Sequence, residues 1–227
     1  MSIDFEFSKF ASDYERHNIV QEEVADELIG LVKGEPRRIL DLGCGRGALA
    51  KRIDWEVDSF VGVDFAKKML ELHPKGSYIE CIYGDFNNDA LYEHLYTYQF
   101  DYILSASALQ WAQDIEKVFT HIQRFETPYA LAIFTSNTFR TLHETAGISS
   151  PLHTKESLLL HAENILQCHH HLRRYTLSFE NTHEMLRYIK RSGVSGHRSL
   201  LGYKETKALM RNYPLSYLEF EVLFLYT

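Results

Sequence analysis

The run Asp41-Leu42-Gly43-Cys44-Gly45-Arg46-Gly47 restricts the fold of this chain more than any other. It follows a short apolar strand from Arg37 to Leu42, and glycine at every second position lets the backbone take left-handed angles and come close to a ligand without a Cβ in the way. The turn is expected to deliver the chain into a helix over Ala48 to Ile53. Further strands read at Ser59 to Asp64, Tyr78 to Tyr83, Tyr102 to Ala106 and Tyr129 to Thr135. Helices read at Ala66 to Leu72, stopped by Pro74, and at Ile115 to Arg124. Strands alternating with helices need crossover connections, so the sheet is mainly parallel and covered on both faces: a doubly wound α/β fold.

The flanks read differently. From Phe7 to Lys33, apolar residues at Ile19, Val24, Leu28, Leu31 and Val32 keep helical spacing until Gly34-Glu35-Pro36 breaks it. Beyond Ser136 the spacing predicts helices over Phe139 to Ala146, Lys155 to Gln167, Thr182 to Ser192 and Lys204 to Arg211. Strands follow at His171 to Phe179 and Tyr217 to Leu225. With 227 residues, 45% of them hydrophobic, and no internal repeat, one domain is expected. Residues 1–35 would form an N-terminal helical cap and residues 137–168 a helical insertion.

No apolar run reaches the roughly 18 residues that span a bilayer, and the first residues lack a basic start and apolar stretch. Cys44, Cys81 and Cys168 are odd in number and widely spaced, which fits neither a disulfide framework nor a zinc site, so a reducing cytoplasm is expected. A net charge of −7 argues against general nucleic-acid binding. The charge is uneven, however: Arg173 to Arg211 holds nine Lys/Arg against three acids. Such a segment is either a solvated face or a docking surface for an acidic partner.

Asp64 ends the second strand 21 residues after Gly43, where a carboxylate can accept hydrogen bonds from both hydroxyls of a ribose. Nicotinamide enzymes share that feature, but their turn reads G-x-G-x-x-G, whereas here it is G-x-G-x-G with Asp41 two residues ahead. A carboxylate at Asp41 would repel a pyrophosphate and attract an ammonium group, which favours a methionine-type cofactor. Gly84-Asp85-Phe86 ends the third strand and offers a carboxylate to an adenine amine, with Phe86 either an aromatic neighbour or simply core.

These stretches, with Gly62-Val63-Asp64, resemble in order the motifs of class I S-adenosylmethionine methyltransferases. Ser107-Ala108-Leu109-Gln110-Trp111 after the fourth strand is similar to the L-Q-W motif of small-molecule and acyl-carrier methyltransferases, and the chain looks like the malonyl-acyl-carrier-protein O-methyltransferases of biotin synthesis. Phe7 to Tyr14, Thr141 to Glu144, Leu186 to Val194 and Leu215 to Leu223 carry the same resemblance. It implies a Rossmann-like sheet with an antiparallel last strand. It also implies S-adenosylmethionine held by Asp41, Gly43, Gly45, Gly47, Asp64, Phe65, Asp85, Phe86, Ser105, Gln110 and Trp111. The chain departs from the pattern twice: Phe139-Arg140 stands where a glycine is usual, and Glu126-Thr127-Pro128 replaces a Pro-Gly-Gly turn.

A carboxylate acceptor is ionised at neutral pH, with an ordinary pKa of roughly 4, so methyl transfer to it needs no general base. The reaction needs position and dryness instead. Tyr14 and His17 would close over the cofactor, and a cation from Arg140, Lys190 or Arg198 would orient the substrate, with Lys190 preferred because its stretch matches the family. His169, His170 and His171 alternate faces on a strand and are read as structural, and no metal is expected. The expected partner is acyl-carrier protein bearing a malonyl group, docked on the basic segment of a monomer that binds neither nucleic acid nor membrane. Alternatives are a methyltransferase for a small polycarboxylate such as trans-aconitate, a non-catalytic cofactor-binding protein, and a nicotinamide oxidoreductase, which the glycine spacing disfavours.

Overall fold

The computed structural model describes residues 18–192 and 202–227. Among them the chain runs α1 (Ile19–Gly30), β1 (Arg38–Leu42), β2 (Ser59–Asp64), α2 (Lys67–Leu72), β3 (Ile79–Tyr83), α3 (Asp89–Leu95), β4 (Tyr102–Ala106), a 3-10 turn (Leu109–Trp111) and α4 (Ile115–Arg124). It continues through β5 (Tyr129–Phe134), α5 (Arg140–Ala146), α6 (Lys155–Ile165), β6 (His169–Ser178), α7 (Thr182–Ser192), α8 (Tyr203–Asn212) and β7 (Tyr217–Tyr226). The seven strands form one sheet in the order β3-β2-β1-β4-β5-β7-β6. β1 to β5 are parallel, while β7 runs antiparallel to both β5 and β6.

Alternation along β1 divides the core. Leu40 and Leu42 face a cluster with Val61, Ile103 and Leu131, whereas Ile39 faces Val24 and Leu28 of α1 together with Phe60, Leu104 and Ala132. Continuous burial of β5, whose six residues are all buried, follows from having helices on both sides. The strand order reverses direction between β1 and β4, and the crevice at the C-terminal ends of these two strands is where an open α/β sheet binds ligands.

One local reading needs correction, and two features add to the reading of the sequence. Residues 48–53 form successive turns rather than a helix: Lys51 N–H reaches Gly47 O at 3.1 Å, but Arg52 N–H bonds to Leu49 O at 2.9 Å. Positive φ at Gly45 and Gly47 prevents a regular start, and the Arg52 side chain is drawn to Asp26 and Glu22 of α1 at 2.6 Å each. Helix α3 was not anticipated, although Asn88 caps it by accepting from Ala90 N–H at 3.0 Å, and Leu91, Tyr92 and Leu95 are buried. The basic segment is β6, α7 and α8, and its first two cations are already paired: Arg173 with Glu27 at 3.2 Å and Arg174 with Glu221 at 3.0 Å.

No helix of the described residues is long and apolar enough to cross a membrane. The three consecutive histidines diverge. His171 hydrogen-bonds Glu27 at 2.9 Å and stacks on Phe224, His169 tilts against Tyr226, and His170 is exposed.

Candidate cofactor and acceptor cleft

A cleft of about 900 Å³, its open mouth included, occupies the crevice above β1 and β4. Gly43, Gly45, Asp64, Phe65, Phe86 and Trp111 line it, so the glycine turn, the end of β2, the end of β3 and the 3-10 turn converge on one wall as the motifs imply. Each of Gly43, Gly45 and Gly47 has positive φ. A Cβ on Gly43 would collide with Ala108, and one on Gly47 would come within 2.5 Å of Pro74, so these two glycines serve close packing around the turn. Gly45 differs, since a Cβ there would meet nothing within 4 Å: it borders open space.

Asp64 fixes this turn. Its Oδ2 accepts from Gly45 N–H at 2.9 Å and its Oδ1 from Ala66 N–H at 2.8 Å. Asp41, only 1% exposed, lies behind the wall, and its Oδ1 has no hydrogen-bond partner among the described residues. Burial, and then repulsion from Asp64, pushes the Asp41 carboxyl well above the usual carboxylate range. The same burial, with Asp41 and Asp64 nearby, pushes up the Cys44 thiol.

Other expected residues fall elsewhere. Asp85 is exposed and its Oδ1 accepts from the Asn87 backbone and side chain at 2.9 and 2.8 Å. Fully buried Ser105 donates to Leu42 O at 2.6 Å, joining β4 to the start of the glycine turn. Gln110 is buried and donates through Nε2 to Ser107 O at 2.7 Å, shaping the loop that presents Trp111. Arg140 opens α5 on the surface beside Glu144, at 3.8 Å. Tyr14, His17 and Arg198 lie outside the described residues, as does the side chain of Lys190.

Sequence reading missed the opposite wall. Asn18 and Gln21, at the N-terminal end of α1, line the cleft, and their buried oxygens Oδ1 and Oε1 have no hydrogen-bond partner among the described residues. Polar side chains three apart on a helix present one face, so Gln21 was visible in principle, but only a structure shows that this end of α1 overhangs the turn. Ser107 and the exposed Lys51 are further lining residues.

The loop after β5 is anchored by two acids from β7. Buried Glu221 accepts from Thr135 Oγ1 and Asn137 Nδ2, each at 2.8 Å, and Glu219 accepts from Thr141 N–H at 3.1 Å and Oγ1 at 2.7 Å. Burial raises the Glu221 pKa, but the bonds from Asn137, Thr135 and Arg174 outweigh it and hold the carboxyl below its ordinary value. At both departures from the family pattern the backbone is left-handed without glycine: Phe139 has φ 59°, and Glu126, which opens the segment replacing the Pro-Gly-Gly turn, has φ 52°.

Residues 39–128 match the model of a family described as a methyltransferase domain. The chain is similar to a malonyl-[acyl-carrier protein] O-methyltransferase of Legionella pneumophila, at 26% identity over 93% of this chain and 85% of the relative. A protein of the same name from Halorhodospira halophila is 31% identical over 62% of this chain and half of its own length. Among solved structures, the YcgJ protein from Bacillus subtilis superposes with a TM-score of 0.62 at 14% identity, covering 89% of this chain and 96% of that one, which is a likeness of fold.

Proposed function

We propose that this chain, whose residues 39–128 match a methyltransferase domain, transfers a methyl group from S-adenosylmethionine to the free carboxylate of a malonyl thioester on acyl-carrier protein. The observation that carries the cofactor reading is the pairing of open space at Gly45 with the Asp64 carboxylate that holds it. Asp64 lines the cleft at the end of β2, where its carboxylate would meet the ribose of the cofactor, and an acid there favours a cationic cofactor over a pyrophosphate. Phe65, Phe86 and Trp111 supply flat apolar surface for an adenine. The acceptor rests on the L-Q-W run and on likeness to the malonyl-carrier relatives.

When bound, the cofactor supplies an electrophilic methyl on a positively charged sulfur. The residues of this chain do the rest. The Asp64 carboxylate locks Gly45 so that the turn is set before ligand arrives, which lowers the ordering cost of binding. Buried apolar walls exclude water, so an acceptor carboxylate that reaches the cleft loses hydration and becomes a stronger nucleophile in an in-line displacement. Exposed Lys51 at the cleft attracts an anionic acceptor past the acidic pair.

The test is to incubate the protein with methyl-labelled S-adenosylmethionine and, in separate reactions, malonyl-acyl-carrier protein, malonyl-coenzyme A and trans-aconitate. A base-labile methyl ester formed fastest on malonyl-acyl-carrier protein is expected. Preferential labelling of trans-aconitate refutes the acceptor, and absence of S-adenosylmethionine binding refutes the whole reading.

A further inference from the structure

Ser107 follows β4 at the switch point with φ 59°, a left-handed conformation that a residue with a Cβ holds at a cost. Both of its peptide groups are fixed. The N–H donates to Ala132 O at 3.0 Å and the carbonyl accepts from Gln110 Nε2 at 2.7 Å. The residue lines the cleft between Ala106 and Ala108, and its Oγ is buried without a hydrogen-bond partner among the described residues. A glycine would adopt this backbone without strain, yet the chain carries a hydroxyl there. Ser105 shows the ordinary solution two residues earlier, where the hydroxyl is consumed by the Leu42 carbonyl.

We infer that Ser107 is a positioning residue for the acceptor, its Oγ–H donating to the carboxylate oxygen that does not attack the methyl group. This deepens the proposed reaction and rests on it for the identity of the acceptor. The Asp64 carboxylate on the turn side of the cleft disfavours an anion there, so an anionic acceptor needs a donor on the β4 side. A hydroxyl meets that need without carrying a charge that would neutralise the nucleophile. Holding one oxygen leaves the other free to face the methyl carbon, and the proton stays on Ser107 throughout, so the step requires no base.

The experiment is calorimetric titration of malonate into protein saturated with S-adenosylhomocysteine, for the parent chain, Ser107→Ala and Ser107→Gly. The glycine variant takes the left-handed backbone freely and keeps the comparison sound if alanine perturbs folding. Affinity for S-adenosylhomocysteine should stay within about twofold in both variants, while malonate binding weakens about tenfold, the scale of one hydrogen bond to a charged group. In turnover, KM for the carboxylate acceptor should rise with kcat nearly constant. Unchanged malonate affinity in the variants, or no malonate binding by the parent chain, overturns the inference. If malonate binding depends on Ser107 but no carboxylate is methylated, the proposed reaction falls and this site stands; the opposite pattern has the opposite meaning.

Discussion

Gly43 and Gly45 share the same sign of φ, +78° and +53°, but their surroundings predict opposite consequences of adding a methyl group. Placing alanine in the left-handed region costs about 1–2 kcal/mol at either position. At Gly43 the new Cβ also collides with Ala108, whose backbone is held by the 3-10 turn, and overpacking of that kind adds about 1–3 kcal/mol. Taking the middle of each energy range and about 2–4 °C of Tm per kcal/mol for a chain of this size, Gly43→Ala should lower Tm by roughly 7–14 °C and Gly45→Ala by roughly 3–6 °C. Cofactor binding should be ordered the other way relative to stability. The Gly45→Ala methyl projects into the cleft, so affinity for S-adenosylhomocysteine should drop at least tenfold in a protein that is still well folded. Thermal unfolding and calorimetric titration of the same preparations measure both quantities. Equal Tm losses in the two variants, or normal cofactor binding by Gly45→Ala, would falsify the division between a packing glycine and a binding glycine.

Asp41→Asn should stabilise the ligand-free protein and weaken cofactor binding. Because the folded carboxyl is raised above its ordinary 3.8, folding is penalised progressively as pH rises above that value, so the advantage of asparagine should be larger at pH 8 than at pH 4 in urea unfolding. A gain that ignores pH rules this out. Glu221→Ala leaves Thr135 and Asn137 without their acceptor inside the fold and should cost about 2–4 kcal/mol, mostly through those groups, since Arg174 is exposed on its side of the ion pair. The Glu221 pKa is depressed, so its stabilisation is present above the ordinary carboxylate range and lost as pH falls through the depressed value; the variant should therefore show a flatter acid limb. Glu126→Gly relieves a left-handed backbone on an exposed side and should leave stability unchanged or raise it by up to about 1 kcal/mol, read from denaturant midpoints. Finally, KM for carrier-bound malonate should rise with ionic strength while that for a short malonyl thioester barely moves, and equal responses would remove the basic segment from carrier docking.

Strand boundaries were legible because buried parallel strands are nearly continuous apolar runs, and β2 and β4 fall where their sequence places them. The glycine turn was legible for the same kind of reason: its φ signs are demanded by residue type. The stretch after it was not, because local propensity over Ala48 to Ile53 is overridden by Arg52, whose partners Glu22 and Asp26 are some thirty residues earlier. The acidic residues divide along similar lines. Asp64 at a strand end could be placed at the cleft from position alone, whereas the exposure of Asp85 depends on Asn87 capturing its carboxylate. Ser107 carried no signal in the sequence, as its conformation is imposed by Ala132 and Gln110. Phe139 stands where a glycine is usual, yet the left-handed turn geometry persists. At Phe139 the reason is visible, since its ring packs edge-on against Phe220 at 5.0 Å and offsets the strain.

β6 ends the sheet, so ten residues of main chain along its outer side face outward. Such a border is a template on which another copy of the chain can crystallise a shared sheet, and the hazard grows with concentration. Here the border carries Arg173 and Arg174 near its middle, with side chains pointing to opposite faces and largely exposed. Two copies aligned antiparallel about that midpoint would bring four guanidinium groups together, and Glu27 and Glu221 are already engaged within each copy. Crowding therefore meets electrical resistance at this rim of the sheet, and neutralising both arginines should turn a well-dispersed protein into one that associates as its concentration is raised.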